Sequence, residues 1–170
     1  MKEMEYCMAC GHKLIKKHLD KEGDIPYCPD CKEFRFPIFS TAVSVIVHNP
    51  AKDKILLIKQ YGRDAYILVA GYVNKGEDAE ETVAREIKEE TGLSISECHF
   101  NHSRYFPPSN TLMLNFTAIA DSEQVEPNDE IDSYAWFSIE EARGKIKQPS
   151  LAEDFLKGYL DGCYHFHKKT

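Results

Sequence analysis

Through the body of the chain, apolar residues come in short runs that are too β-branched for helices and too regular for loops. TAVSVIV (41–47) and KILLIKQ (54–60) flank HNPAKD, whose Asn49-Pro50 step favours a turn, so the two runs are predicted to form a β-hairpin. Further strands are expected at 65–71 (AYILVAG), 99–106 (HFNHSRYF), 111–120 (TLMLNFTAIA) and 133–138 (SYAWFS). A helical pattern runs from Asp78 to Thr91, with Gly92 placed as its left-handed terminator. Ser138-Ile-Glu-Glu141 and Ser150-Leu-Ala-Glu153 each match a capping box, opening helices to about Lys147 and about Asp161. The last helix carries Leu151, Phe155, Tyr159 and Leu160 at core-facing spacings. The predicted class is α+β: a mixed sheet with helices packed on it over residues 37–170, preceded by a small unit over residues 1–36.

The first helix breaks its own pattern. GYVNKGEDAEETVAREIKEETGL, residues 71–93, carries seven carboxylates. On a wheel at about 100° per residue with Glu86 at zero, Ala79, Val83 and Ile87 form an apolar arc from about 20° to about 100°. Asp78, Glu81, Arg85, Lys88 and Glu89 fall between about 200° and about 300°, where a solvated face belongs. Glu90 falls at about 40°, inside the apolar arc, and Glu86 lies on its border. Like charges at i and i+4 cost an exposed helix roughly 0.2–0.5 kcal/mol, and burial raises the cost, unless a cation reverses the sign. Glu86, Glu89 and Glu90 together suit a hard divalent ion such as Mg²⁺ or Mn²⁺. Arg85, four residues before Glu89, can brace a carboxylate from outside.

Cysteine usage marks the front of the chain. Cys7-Met-Ala-Cys10 and Cys28-Pro-Asp-Cys31 are two CxxC knuckles separated by 17 residues, the spacing of a four-thiolate zinc site. Four thiolates leave zinc no open position, so the expected role is structural. His12, with the shell full, is read as a surface histidine. Cys98 and Cys163 stand alone and are read as buried inert thiols; His165 and His167 are read as part of a frayed tail.

Composition narrows the classes that remain. The net charge of −7 falls wholly outside residues 1–36, which hold seven Lys/Arg against seven Asp/Glu. An acidic body disfavours general nucleic-acid binding and is compatible with phosphate chemistry that recruits a cation. No apolar run is long enough to span a bilayer and no secretory leader is visible, so a cytoplasmic protein is expected.

Gly71, Glu77, Arg85-Glu86, Glu89-Glu90, Gly92 and Leu93 stand at every fixed position of Gx5Ex7REUxEExGU, and the chain thereby resembles the Nudix family. The resemblance implies an α/β/α sandwich around a mixed sheet. It also implies hydrolysis of a nucleoside diphosphate linked to another group, by water attack at phosphorus. Glu86, Glu89 and Glu90 would hold the divalent ions and Gly71 would add its carbonyl, while Glu77 and Arg85 would shape the loop. Glu89 or Glu90 would serve as general base, and Glu130 as a further metal ligand or base.

A four-cysteine ribbon before the domain resembles the NADH pyrophosphatase branch, without that branch's N-terminal domain. The branch marker, SQPWPFPxS followed by Leu-Met, faces SRYFPPSNTLM here, where Ser103, Pro107, Leu112 and Met113 match. Phe106 replaces Trp and Thr111 the last Ser, while Arg104, Tyr105, Pro108 and Ser109 depart. Arg104, Tyr105, Phe106 and Thr111 are the expected substrate contacts; Tyr105 and Phe106 read alternatively as core residues ending a strand. The expected substrate is an NAD(H)-type dinucleotide, with ADP-ribose or a nucleotide sugar as the alternative. A non-catalytic nucleotide-sensing or nucleic-acid-binding module is the reading from another class. NAD-capped RNA is a variant substrate that would use ribbon residues Lys13, Lys16, Lys17 and Lys32. Similar enzymes are homodimers, so a homodimer is expected.

Overall fold

The computed structural model describes residues 4–164 and divides into two compact units, Met1–Phe39 and Ser40–Thr170. His165 and His167 lie outside the described residues.

The first unit is a three-stranded antiparallel sheet of β1 (Ile15–Leu19), β2 (Gly23–Cys28) and β3 (Glu33–Phe34), in that order. Its apolar content is too small for a core of its own, and its organising centre is a cluster of sulfurs. The sulfurs of Cys7, Cys10, Cys28 and Cys31 all lie within 4.8 Å of one another. A tetrahedral ion with bonds of about 2.3 Å sets its thiolates roughly 3.8 Å apart. Cys7 and Cys31 are 3.9 Å apart, and Cys10 and Cys28 are 3.5 Å apart. Contact with Cys10 and Cys28 pushes the Cys31 thiol up to about 12, so its neighbours oppose its ionisation. Arg35 Nε donates to Cys7 Sγ at 3.2 Å, and the Cys31 N–H to Cys28 Sγ at 3.4 Å. His12 is at the surface, 2.8 Å from Asp30.

The second unit carries a six-stranded mixed sheet. Its strands are β4 (Ser40–His48), β5 (Lys54–Gln60), β6 (Val69–Tyr72), β7 (Ile95–Phe106), β8 (Thr111–Ala120) and β9 (Ile131–Ser138). The order is β7-β8-β4-β5-β9, with β6 on β4. The pair β4 and β8 is parallel over Ser40–His48, and the other pairs are antiparallel. Helices are α1 (Ala79–Thr91), α2 (Ile139–Lys145) and α3 (Leu151–Leu160).

Period-two alternation explains the layers. Val43, Val45 and Val47 of β4, with Leu56 and Ile58 of β5, pack with Val83 and Ile87 of α1. Ile46 of β4, with Ile55 and Leu57 of β5, packs with Ala142 of α2 and Phe155 and Leu156 of α3. Both faces of β4 and β5 are covered, which is why these strands read as continuous apolar runs. The result is the expected α/β/α sandwich.

Several boundaries differ from expectation. The strand expected at 65–71 forms only from Val69, because Ile67 still pairs with Ile58 of β5 whereas Val69 has moved to Val45 of β4. The strand expected from 99 begins at Ile95, and register shifts near Ile95 and Phe100 obscure its alternation. The second helix stops at Lys145 because Ile146 bridges to Tyr66. Both N–H bonds of the Ser138–Glu141 capping box form, at 3.3 and 3.0 Å. At Ser150 only the Glu153 N–H bond appears, at 3.0 Å, and the Glu153 carboxylate pairs with Lys157. Cys98 is half-buried, and burial lifts its thiol to about 11; Cys163 is exposed, contrary to the buried reading, since it follows α3 in a surface turn.

Candidate active site

Helix α1 sits on the β4–β5–β6 face with Val83 and Ile87 inward, and that fixes where its glutamates go. Gly92, at φ 73°, ends the helix and donates to Lys88 O at 3.0 Å. The next carbonyls are met from outside: Glu126 N–H donates to Thr91 O at 2.8 Å, and Asn128 N–H to Glu90 O at 3.0 Å. These bonds hang the segment before β9, which bears Glu130, on the end of α1.

Burial sorts the three glutamates as the wheel does. Glu90 is 4% exposed, the Glu86 side chain 12%, and the Glu89 side chain 58%. Glu90 Oε2 is buried with no hydrogen-bond partner among the described residues. Burial pushes the Glu90 carboxyl up to about 7; Gln60 opposes the shift, and Glu86, Glu130 and Glu89 add to it. Burial also raises the Glu86 carboxyl, against the pull of Arg85.

Arg85 organises the rest. Its Nε and Nη2 donate to Glu77 at 2.7 and 3.0 Å. Nη2 also donates to Tyr72 O at 3.0 Å, and Nη1 to Glu86 at 2.8 Å and Glu89 at 3.0 Å. One guanidinium thus uses its fork to hold three carboxylates and the carbonyl that ends β6. Arg85 and then the Asn74 N–H hold the Glu77 carboxyl down at about 2, and Thr82 Oγ1 adds a bond at 3.0 Å. Glu77 is therefore occupied in fixing the arginine. Gly71 packs directly on Glu86: a β-carbon there would stand 1.9 Å from Glu86 Cδ.

A cavity of about 430 Å³ opens at these groups, lined by Gly71, Tyr72, Arg85, Glu86 and Glu90, by Gln60 at the end of β5 and Tyr61 after it, and by Glu130. Ala42, Ser109, Thr111 and Met113 also line it. Glu89 is not part of the lining, and among the described residues the four cysteines are the acidic or sulfur-bearing set with ligand atoms all within 4.8 Å. The carboxylates nevertheless fit a hard divalent cation. A buried orphan oxygen on Glu90, a second raised carboxyl on Glu86 and Glu130 in the same lining leave negative charge that, among the described residues lining the cavity, meets Arg85 as its one cation.

The expected substrate contacts divide. Thr111 lines the cavity, whereas Arg104, Tyr105 and Phe106 lie outside its lining. The Arg104 guanidinium is paired with Asp154 of α3, and Tyr105 Oη donates to Asn110 at 2.7 Å. Gln60, Tyr61 and Tyr72 also line the cavity, as do Ser109 and Met113, which the sequence marks only as positions of the degenerate marker and not as substrate contacts. Tyr72 and Met113 were within reach of the sequence, being the residue after the box glycine and a marker residue. Tyr61 carries no such signal, because its place depends on where β5 ends.

Comparison with known proteins follows the same line. The NUDIX domain family matches residues 39–158. A protein of Stutzerimonas stutzeri named NAD-capped RNA hydrolase NudC is 32% identical over 158 residues, covering 91% of this chain and 55% of that protein. Its namesake from Pseudomonas aeruginosa is 29% identical with the same coverage. The chain thus spans about half the length of the curated relatives it matches. Among solved structures, a NUDIX hydrolase from Nitrosomonas europaea superposes with TM-score 0.69 at 22% identity, covering 96% of this chain and 94% of that one. A structure from work on MutT of Aliivibrio salmonicida and Vibrio cholerae superposes with TM-score 0.62 at 18% identity, covering 74% of this chain and 99% of that one. These two likenesses speak to the fold, and enzymes of the family generally use a divalent metal. With the family match running from residue 39 to residue 158, this chain belongs to the Nudix hydrolases.

Proposed function

We propose that this chain is a divalent-cation-dependent pyrophosphatase that cleaves the diphosphate bond of an NAD(H)-type dinucleotide to two mononucleotides. The observation that carries the reading is Glu90: almost fully buried, with an orphan oxygen, and facing a cavity shared with Glu86 and Glu130. A pure nucleotide binder has no use for such a group, which costs stability wherever it is ionised. The dinucleotide assignment draws support from the two relatives named NAD-capped RNA hydrolase.

In this reading Glu86, Glu90 and Glu130, with Glu89 and the Gly71 carbonyl, hold Mg²⁺ or Mn²⁺. When bound, the cation neutralises the diphosphate, polarises the attacked phosphorus and lowers the pKa of water. The chain supplies position. Arg85 fixes the Glu86 and Glu89 carboxylates, Glu77 fixes Arg85, and Gly71 leaves room for Glu86. The oxygen of water bonds to phosphorus as the bridging P–O bond breaks, and the leaving phosphate carries away that electron pair. The proton of the water passes to Glu89 or Glu90, of which Glu90 faces the cavity. The four cysteines hold structural zinc, and a homodimer is expected as in similar enzymes.

The relatives' names favour a second substrate, the same dinucleotide attached to RNA, for which the exposed Lys13, Lys16, Lys17 and Lys32 offer cationic contacts. The test is a panel of NADH, NAD⁺, ADP-ribose, nucleotide sugars and NAD-capped RNA with Mg²⁺ or Mn²⁺, products resolved chromatographically, beside Glu90→Gln. Mononucleotide release from NADH by the parent alone is the expected result. Cleavage of ADP-ribose without NADH removes the substrate assignment, and no cleavage above Glu90→Gln removes the enzymatic reading.

A further inference from the structure

Tyr61 is held in a backbone conformation that its side chain disfavours. Its φ is 56°, in the left-handed region where a β-carbon crowds the following carbonyl, and Gly62 follows at 67°. Glycine would occupy both positions without that conflict. The usual repayment for an aromatic, burial, is missing, since Tyr61 is 66% exposed. What the conformation achieves is directional: the ring stands at the cavity wall and Tyr61 Oη donates to Glu130 Oε2 at 2.7 Å. The same turn is pinned a second time, by the Gly62 N–H on Asp132 Oδ2 at 2.7 Å.

Glu130 needs such a partner. It lies outside regular structure, just before β9, with its backbone N–H on Asn128 Oδ1 at 3.0 Å. It lines the same cavity as Glu86 and Glu90, and like charges there repel one another. Arg85 reaches Glu77, Glu86 and Glu89 but has no bond to Glu130. Two clamps therefore serve one site, an arginine on the helix side and a phenol on the side of β9.

We infer that Tyr61 is a positioning residue for cation-dependent hydrolysis, its hydroxyl holding the Glu130 carboxylate over the cavity so that Glu130 joins Glu86 and Glu90 as a cation ligand. The inference rests on the proposed role of Glu130 at the cation. A strained, exposed tyrosine spent on one hydrogen bond to an acidic cavity residue is explained by that role and by no packing requirement.

The test uses Mn²⁺ alone, titrated into the full chain and followed by water-proton relaxation, alongside steady-state hydrolysis of NADH. Tyr61→Phe keeps the ring and is expected to weaken Mn²⁺ binding about three- to tenfold, the net worth of one ordinary hydrogen bond. Its rate deficit should close at saturating Mn²⁺, with KM for NADH unchanged. Glu130→Gln should weaken Mn²⁺ at least as much, and adding Tyr61→Phe to it should change nothing further. Tyr61→Gly relieves the backbone and gives up little burial, the ring being 66% exposed, so its thermal midpoint should hold or rise while Mn²⁺ affinity falls. Parental Mn²⁺ affinity in Tyr61→Phe, or additive losses in the double variant, overturns the inference while leaving Glu130 at the cation. Parental Mn²⁺ affinity in Glu130→Gln removes the role of Glu130 itself, and the inference with it.

Discussion

The Glu86 carboxylate occupies the space in which any side chain on Gly71 would begin; a β-carbon there would stand 1.9 Å from Glu86 Cδ and 2.0 Å from Oε1. Gly71→Ala must push that carboxylate off its 2.8 Å bond to Arg85. The displaced atoms end a flexible side chain, so the cost in stability should be only about 1 kcal/mol. A misplacement of about 1 Å at a reacting centre costs roughly 100-fold in rate. Denaturant melts and hydrolysis rates on the same preparation check this, and near-parental turnover in Gly71→Ala would show that the Glu86 position is not critical.

Glu90→Gln should remove activity yet stabilise the cation-free chain. The folded carboxyl titrates near 7 against an ordinary 4.5, so below about 4.5 it is neutral folded and unfolded and no penalty exists. The penalty grows as pH rises through 7 and is complete above it, on the order of 3 kcal/mol. The parent should therefore lose stability from pH 5 to pH 8 relative to Glu90→Gln, and Mg²⁺ should restore it in the parent only. Parallel pH profiles of thermal midpoint for the two proteins would contradict this.

Arg104 and Tyr72 should separate. Arg104 is paired with Asp154 away from the cavity, so Arg104→Ala should leave kcat/KM for the preferred substrate within about threefold, the scale of an exposed ion pair. Tyr72 lines the cavity with its ring half in solvent, so Tyr72→Ala should raise KM by about tenfold through lost stacking on a base. Steady-state kinetics on both variants decides, and a larger loss from Arg104→Ala would return the marker arginine to the substrate.

With zinc proposed on the four cysteines, a chelator should loosen β1–β3 and leave β4–β9 as they were. The first unit has the sulfur cluster in place of an apolar core, while the second has two apolar clusters of its own. Hydrogen exchange read by mass spectrometry should show faster exchange confined to the first unit, and uniform acceleration would contradict it.

How much of this was legible in the sequence depends on the range of the interaction involved. Helix α1, its glycine terminator and the burial order of Glu90, Glu86 and Glu89 follow from local periodicity, which needs no knowledge of partners. The two-faced burial of β4 and β5 is likewise written in their continuous apolar runs. The shift of pairing at Val69 was not legible, because whether a strand stays on β5 or moves to β4 is decided by contacts distant in sequence. Nor was the fate of Arg104, whose partner Asp154 lies on another element. A marker read as a linear string treats neighbours as sharing a destination, whereas alternation along β7 and the turn at Pro107 send them to different places.

The sharing of β4 between two antiparallel neighbours has a kinetic consequence. Pairing β6 at Ala42–Val45 and β5 at Val47–His48 leaves Ala42, Ala70, Gly71 and Gln60 of three consecutive strands along the cavity, whose lining is completed by Thr111 and Met113 of β8 and by Glu130, all far along the chain. Helix α1 needs only nearby residues to begin forming, but the cation site needs the last long-range closures to be made. During refolding, helical signal should return before Mn²⁺ binding does, and the metal should report arrival at the finished fold rather than guide the chain toward it.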